Sequence, residues 1–462
     1  MEGAAATLPW RMAWRHHGLR PALHAPSKPG LLAFTLPGSR FAHRRFFSTT
    51  TASSSTSRHY THPLLQDVIP DETNNVPASL IQRLGVNLHR QPFHPLNTCK
   101  RKIERYFTAF PLEEGKDPHP QDPHRALFRT YDNFSPIVSV KDNFDDLLFP
   151  EDHVGRSPND TYYLNRTTLL RTHTSAHQNQ LLREGVGAFL VTGDVYRRDT
   201  IDRTHSPVFH QMEGVRVFEP HQLSLNEEAN LQLVEQDMKS KLEGMVRSIF
   251  GPDLVIRWVD AYFPFTHPSW EMEIFFEDKD WLEVLGCGVV HQDIMRQCGL
   301  GAKKGWAFGI GLERLAMILF GIPDIRLFWV QDKRFLSQFL PSPSSSIPPE
   351  EQVLDMNTKF KPFSKYPLVQ RDIAFWLPAP SAPASSAFHE NSFFEVVRGV
   401  GNELVESVEE VDRFVHPKKG VESRCYRISY RSMERSLTNE EINQIQEQVR
   451  HLAVEKLGVT LR

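Results

Sequence analysis

The sequence predicts an α+β protein that carries a smaller α+β module at its C-terminal end, on three observations. Val195 to Gly214, VYRRDTIDRTHSPVFHQMEG, reads as two strands joined by a polar loop. VIRWVDAYFPFTHPSWEMEIFFED and WLEVLGCGVVH add further strands, and NEEANLQLVEQDMKSKLEGMVRSIFG is an amphipathic helix that ends at Gly251. Beyond PSPSSSIPPEE, a strand, helix, strand, strand and helix follow in the order of a split βαβ sandwich.

Composition narrows the class. Of 462 residues, 40% are hydrophobic and 24% charged, as in an ordinary soluble protein. No uninterrupted apolar run approaches the roughly 18 residues that span a bilayer, so no membrane partner is expected. A net charge of −3 carries no global signal for nucleic acid, and RNA contact has to come from local patches. Cys99, Cys287, Cys298 and Cys425 show no CxxC spacing, so they predict free thiols rather than a zinc site or a disulfide framework.

Along the chain, residues 1–57 hold Arg11, Arg15, Arg20, Arg40, Arg44 and Arg45, with Glu2 as the only acidic residue, and end in SSSTS. That is the composition of an organelle transit peptide, for mitochondria ahead of a plastid, with a disordered basic tail as the plain alternative. VPASLIQRLG predicts a short helix closed by Gly85. HPLNTCKRKIERYFTAF predicts a longer one with Leu96, Ile103 and Phe107 inward and its Lys and Arg on a solvated face. Glu113 to Arg125 reads as a loop and SPIVSV as a strand. LLRTHTSAHQNQLLREG runs from a strand end into a helix that Thr174 or Ser175 is placed to cap, with free N–H groups at its tip.

In the hairpin, alternation puts Val195, Arg197 and Asp199 on one face of the first run and Phe209, Gln211 and Glu213 on one face of the second. An arginine fork suits phosphate or carboxylate, an aromatic ring suits a base, and a Gln/Glu pair suits an ammonium group. A polar, solvent-facing hairpin is the plain alternative. YFPFTHPSWEMEI supplies two strands around a His-Pro turn, and Pro264 marks an edge or irregularity there. GWAFGIGLERLAM is a glycine-rich strand entering a helix with Arg314 in its first turn. Composition divides the rest into 58–340, a linker at 341–357 and a module at 358–462, where Lys359, Lys361, Lys365, Arg371, Arg424, Arg427, Arg431 and Arg435 concentrate positive charge.

RTHTSAHQ, VYRRDTIDRTHSPVFHQMEG, YFPFTHPSWEMEI, WLEVLGCG and GWAFGIGLERLAM, in that order, resemble the catalytic core of the phenylalanyl-tRNA synthetases. The C-terminal module resembles their ferredoxin-fold anticodon-binding domain, and the whole is similar to the single-chain mitochondrial form. The resemblance implies a class II synthetase fold, an antiparallel sheet flanked by helices, with the hairpin as motif 2, GIGLERL as motif 3 and a weak motif 1 at HPLN. It implies ATP and magnesium, tRNA(Phe) and L-phenylalanine as partners, a matrix location and a monomer.

The resemblance also implies roles. Arg197 and Arg314 are the catalytic pair, Arg197 bridging the amino-acid carboxylate and the α-phosphate and Arg314 holding the γ-phosphate. Thr204, His205, Ser206, Phe209, Gln211, Met212 and Glu283 line ATP, with Glu283 also contacting magnesium. His173, Ser175, Ala176, His177, Gln178, Gln211 and Glu213 surround the amino acid near its ammonium group. Phe263 and Phe265 embrace the ring, and Ala307 leaves room at its far end. Removing Lys359 to Arg462 is expected to abolish tRNA charging and to spare adenylate formation.

Overall fold

The computed structural model describes residues 60–111, 126–276, 280–340, 358–363, 365–378 and 388–462. The transit segment at 1–57, the loop from Glu113 to Arg125 and the linker at 341–357 lie outside the described residues. A seven-stranded sheet organises the larger part of the chain. Its strands are β1 (Arg129–Tyr131), β2 (Ala188–Tyr196), β3 (Val208–Phe218), β4 (Val255–Phe263), β5 (Thr266–Phe276), β6 (Asp280–Val290) and β7 (Lys304–Gly311), in spatial order β1-β2-β3-β7-β6-β5-β4. All neighbours are antiparallel except β1, which lies parallel to β2.

Alternation along these strands builds a different core on each face. Helices α1 (Pro95–Thr108), α2 (Glu227–Phe250) and α3 (Leu312–Phe320) cover one face, where Ile103, Phe107, Met238, Trp306, Phe308 and Leu315 join one apolar cluster. Gly214 is needed on that side, because a Cβ there would lie 2.2 Å from the Phe308 ring. Trp306 is fully buried and donates Nε1 to Asp237 on α2 at 2.8 Å, which satisfies its one polar atom. On the other face Phe189, Val191, Val215 and Ala307 pack with Leu181 and Met295.

Local chemistry changes several expectations. The β4–β5 turn falls at Pro264 and Phe265, since Phe263 pairs with Thr266. His267 and Pro268 lie inside β5, in a register shift between Thr266 and Ser269. Neither Thr174 nor Ser175 caps the following helix: they belong to a 3-10 turn, Thr174–His177, and Gln178–Arg183 follows with no side-chain cap. Lys100 on α1 is not solvated but buried, paired with Glu104 at 3.1 Å and Asp132 at 2.8 Å.

The C-terminal module contains β8 (Val369–Trp376), α4 (Glu390–Gly401), β9 (Val405–Val415), β10 (Glu422–Tyr430), α5 (Asn439–Leu457) and a two-residue β11 (Thr460–Leu461). Its sheet order is β9-β10-β8-β11. The last strand, too short to show periodicity, is not legible in the sequence. Much of the module's positive charge is internally compensated: Arg427 pairs with Asp372, Arg431 with Glu406, Arg435 with Glu441, and Arg424 with Glu410 and Glu422. No helix among the described residues is long and apolar enough to cross a membrane, and the four cysteines are free.

Candidate active site

The site forms where β3 meets β7. Strand β2 ends at Tyr196, so Arg197 opens the loop, with its own N–H still paired to the Pro207 carbonyl at 3.1 Å. Asp199, two residues on, accepts from the Thr200 N–H at 2.7 Å, and its charge acts on both Arg197 and His205. Arg197 is held by a 2.8 Å bond from Nε to the Thr172 carbonyl, with its guanidinium 5.1 Å from the centroid of the Phe209 ring. Nη1 and Nη2, the two ends of the fork, take no part in that bond.

Register explains the space above the sheet. Gln211 lies between Gly193 on β2 and Gly311 on β7, and Glu213 lies between Val191 and Gly309. Farther across, Gly309 faces Gly286 and Ala307 faces Gly288 on β6. Gly286 and Gly309 form a trough floor that side chains would fill, while Gly193 makes room for the Arg171 guanidinium. A Cβ at Gly286 would lie 2.6 Å from the Phe263 ring, and one at Gly309 would lie 2.8 Å from Gln211 Nε2. Phe263 and Phe265 wall the trough with near-parallel rings, 5.9 Å between centroids and 16° between planes.

At the head of the trough sits Glu213, 2% exposed, with no hydrogen bond to either carboxylate oxygen. Burial pushes its carboxyl up to about 8, and the Ser175 hydroxyl, near it but outside hydrogen-bond geometry, offsets only part of that. Gln178 Oε1 is likewise buried without a partner, while Gln211 Oε1 accepts from the Thr174 N–H at 3.3 Å. A buried group of acceptors short of donors suits a ligand that brings several N–H bonds and a positive charge. His173 stacks on Phe149 at 5.6 Å. Burial first, then the Arg197 charge, lower its pKa to about 3, so it is neutral at physiological pH.

The opposite end is shaped for anions. Within the loop, Asp202 accepts from the Thr204 and His205 N–H groups at 2.7 and 3.0 Å and from the His205 ring at 2.7 Å. Burial lowers the His205 pKa, but Asp202 and Asp199 outweigh it and the net shift is upward. Ser206 is buried beside them. Arg314, in the first turn of α3, donates Nη1 to the Glu283 carbonyl at 3.2 Å and lies 3.6 Å from its carboxylate.

Glu271 belongs to this end, and no sequence motif marks it, although the spacing in WEMEI places it on one face with Glu273. Burial, then the charges of Glu283 and Glu273, raise the Glu271 carboxyl to about 7. Burial also raises Glu283, against the pull of Arg314. Mutually repelling carboxyls of this kind fit a divalent cation. Among the described residues no group of three His, Cys, Asp or Glu is arranged to hold a metal, so the fit needs phosphate oxygens to complete it.

Two expected contacts, Met212 and His177, lie elsewhere. The Met212 side chain is fully buried in the helix-side core, because it alternates with Gln211 and Glu213. Ala176 packs in the same apolar cluster as Ala307, with Phe265 against it, so it stays on the trough side of the sheet. His177 stacks on Phe134 at 4.6 Å and lies 2.9 Å from Arg171 Nη1. Burial and then Arg171 lower its pKa to about 3, so it accepts from Arg171 beneath the site. Two further supports, His210 and Glu313, are legible only in three dimensions. Glu313 accepts from both the backbone N–H and the ring Nδ1 of His210 at 2.7 Å, which ties β3 to α3 just before Arg314.

A polar hairpin and a glycine-rich strand–helix unit facing one trough of an antiparallel sheet define a class II tRNA synthetase core. Residues 124–339 match the family of tRNA synthetases class II core domain (F), and residues 364–462 match the ferredoxin-fold anticodon binding domain. Similarity extends along most of the chain. It is 50% identical over 450 residues to the mitochondrial phenylalanine–tRNA ligase of Dictyostelium discoideum, covering 90% of this chain and 94% of that protein. It is 50% identical over 392 residues to the chloroplastic/mitochondrial phenylalanine–tRNA ligase of Arabidopsis thaliana, covering 85% and 83%. With the mitochondrial phenylalanine–tRNA ligase of Mus musculus it shares 46% identity over 412 residues, covering 84% and 86%. The chain belongs to the phenylalanine–tRNA ligase family.

Proposed function

We propose that this enzyme activates L-phenylalanine with ATP and transfers it from phenylalanyl-adenylate to tRNA(Phe) in the mitochondrial matrix, acting as a monomer. The observation that carries this reading is the buried, unpartnered Glu213 at the head of a glycine-floored trough walled by Phe263 and Phe265. Residues 58–340 form the catalytic domain, 341–357 a linker and 358–462 the anticodon reader. The Arg-rich segment at 1–57 and the mitochondrial names of the relatives support the location.

In the first step a carboxylate oxygen of phenylalanine attacks the α-phosphorus of ATP in line, an O–P bond forms, the bond to the bridging oxygen breaks and diphosphate leaves. Glu213, with Ser175, Gln178 and Gln211, takes the ammonium group, while the aromatic pair holds the ring. Arg197 spans the carboxylate and the α-phosphate, Phe209 stacks on adenine, Thr204, His205 and Ser206 line the nucleotide, and Arg314 holds the γ-phosphate. Magnesium, with Glu283 and Glu271 as its candidate protein contacts, would neutralise phosphate charge. In the second step a terminal ribose hydroxyl of the tRNA attacks the carbonyl carbon, and AMP leaves.

ATP-dependent pyrophosphate exchange with each of the twenty amino acids tests the assignment. Phenylalanine alone should support strong exchange; no exchange, or a preference for another amino acid, sinks it. Sedimentation at working concentration checks the monomer. Substrate size gives a sharper prediction. Ala307 is 4% exposed and lies between Val215 and Gly288, so Ala307→Gly should open the far end of the trough and admit p-chlorophenylalanine. Equal discrimination by mutant and wild type would refute the placement of the ring.

A further inference from the structure

The loop that follows Arg197 is held from outside the catalytic domain. Asn391, at the start of α4, donates Nδ2 to the Arg198 carbonyl at 3.2 Å and to the Asn159 carbonyl at 3.0 Å. Arg398, on the same helix and 9% exposed, donates Nη2 to the carbonyls of Asp199 at 2.7 Å and Thr200 at 3.4 Å. The Val408 N–H on β9 donates to the Ile201 carbonyl at 3.0 Å. Every carbonyl from Arg198 to Ile201 therefore accepts from the C-terminal module.

Side chains secure the same contact. Ile201 is buried in the module's own apolar core, in one cluster with Phe393, Val397 and Val408. Arg203 donates to Glu406 at 2.6 Å. Glu395 fixes the Arg398 guanidinium through its other arm, and accepts from the Tyr162 hydroxyl of the catalytic domain at 2.8 Å. The chain then turns at Asp202 and returns through Thr204, His205 and Ser206.

From this geometry we infer that Arg398 and Asn391 are positioning residues for the nucleotide step: the docked C-terminal module holds Arg198 to Ile201 in the curve that sets Thr204, His205 and Ser206 over ATP. The inference rests on the reading of those loop residues as nucleotide contacts. A polar loop without such anchors loses conformational entropy when ATP orders it, and the module removes that cost in advance. Adenylate formation is then coupled to docking, so removing Lys359 to Arg462 costs activation as well as tRNA charging, where the family resemblance implies that activation is spared.

The test uses full-length enzyme in phenylalanine-dependent pyrophosphate exchange. Arg398→Ala and Asn391→Ala should each raise the KM for ATP by about threefold to tenfold, as expected for freeing one or two ordered groups, and leave the KM for phenylalanine unchanged. Arg398→Lys, which keeps the charge beside Glu395, should recover part of the loss. His205→Ala tests the underlying reading and should also raise the KM for ATP. If His205→Ala raises it and the two module variants do not, the positioning role is overturned while the loop contacts stand. If none of the three changes it, the loop does not meet ATP and the inference falls with that reading. An equal rise in both KM values marks general damage and overturns it too. Should Arg398→Ala fail to fold, Asn391→Ala, which removes only neutral donors, decides.

Discussion

Arg197→Lys should lower kcat for phenylalanine-dependent pyrophosphate exchange by about 10²–10³-fold, the range for losing one preorganised donor to developing charge. Charge is conserved in this substitution, so the loss isolates geometry. The guanidinium is planar, and its Nε is committed to the Thr172 carbonyl at 2.8 Å, which leaves a forked end to meet two anions at once. An ammonium group offers no second fixed direction, and it would lose the face of Phe209 at 5.1 Å that orients the native side chain. Burial lowers the Arg197 pKa and Asp199 partly restores it. Rapid-quench measurement of adenylate formation checks the prediction. A rise in KM with kcat intact would mean that Arg197 binds ground states only.

How much of this was readable from sequence follows from the range of each interaction. The face shared by Phe209, Gln211 and Glu213 was legible because β3 is a regular strand and the period of two persists along it. Asp199 lies beyond the end of β2 at Tyr196, where no ladder enforces that period. The β4–β5 turn was misplaced onto His267–Pro268 because the real turn uses an apolar residue, Phe265, whose ring belongs to the trough wall. Composition rules for turns look for polar residues and miss it. The glycine floor depends on which glycine faces which across β3, β7 and β6, and register between distant strands leaves no local trace. The grip of Asn391 and Arg398 on the loop is longer in range still, and the pairing of Arg424, Arg427, Arg431 and Arg435 with carboxylates of the module leaves no trace in its composition.

Glu213→Gln should separate activity from stability. In the folded enzyme burial holds the carboxyl near 8, well above its unfolded value. The folded state therefore binds more protons than the unfolded state between those limits. The stability associated with the neutral form is fully present below the unfolded pKa and is lost as pH rises through about 8. Glutamine cannot ionise, so the variant should melt higher than wild type at pH 8 and show no such gain at pH 4. The difference should be on the order of a few kcal/mol at most. Phenylalanine reverses the balance, because its ammonium group requires the carboxylate. At pH 7 wild-type binding should release about one proton, read by calorimetry in buffers of different ionisation enthalpy. The variant should release none and bind phenylalanine more weakly by about 2–5 kcal/mol, the usual cost of truncating one partner of a buried charge pair. Equal affinity and equal proton release in the two enzymes would move the ammonium site away from Glu213.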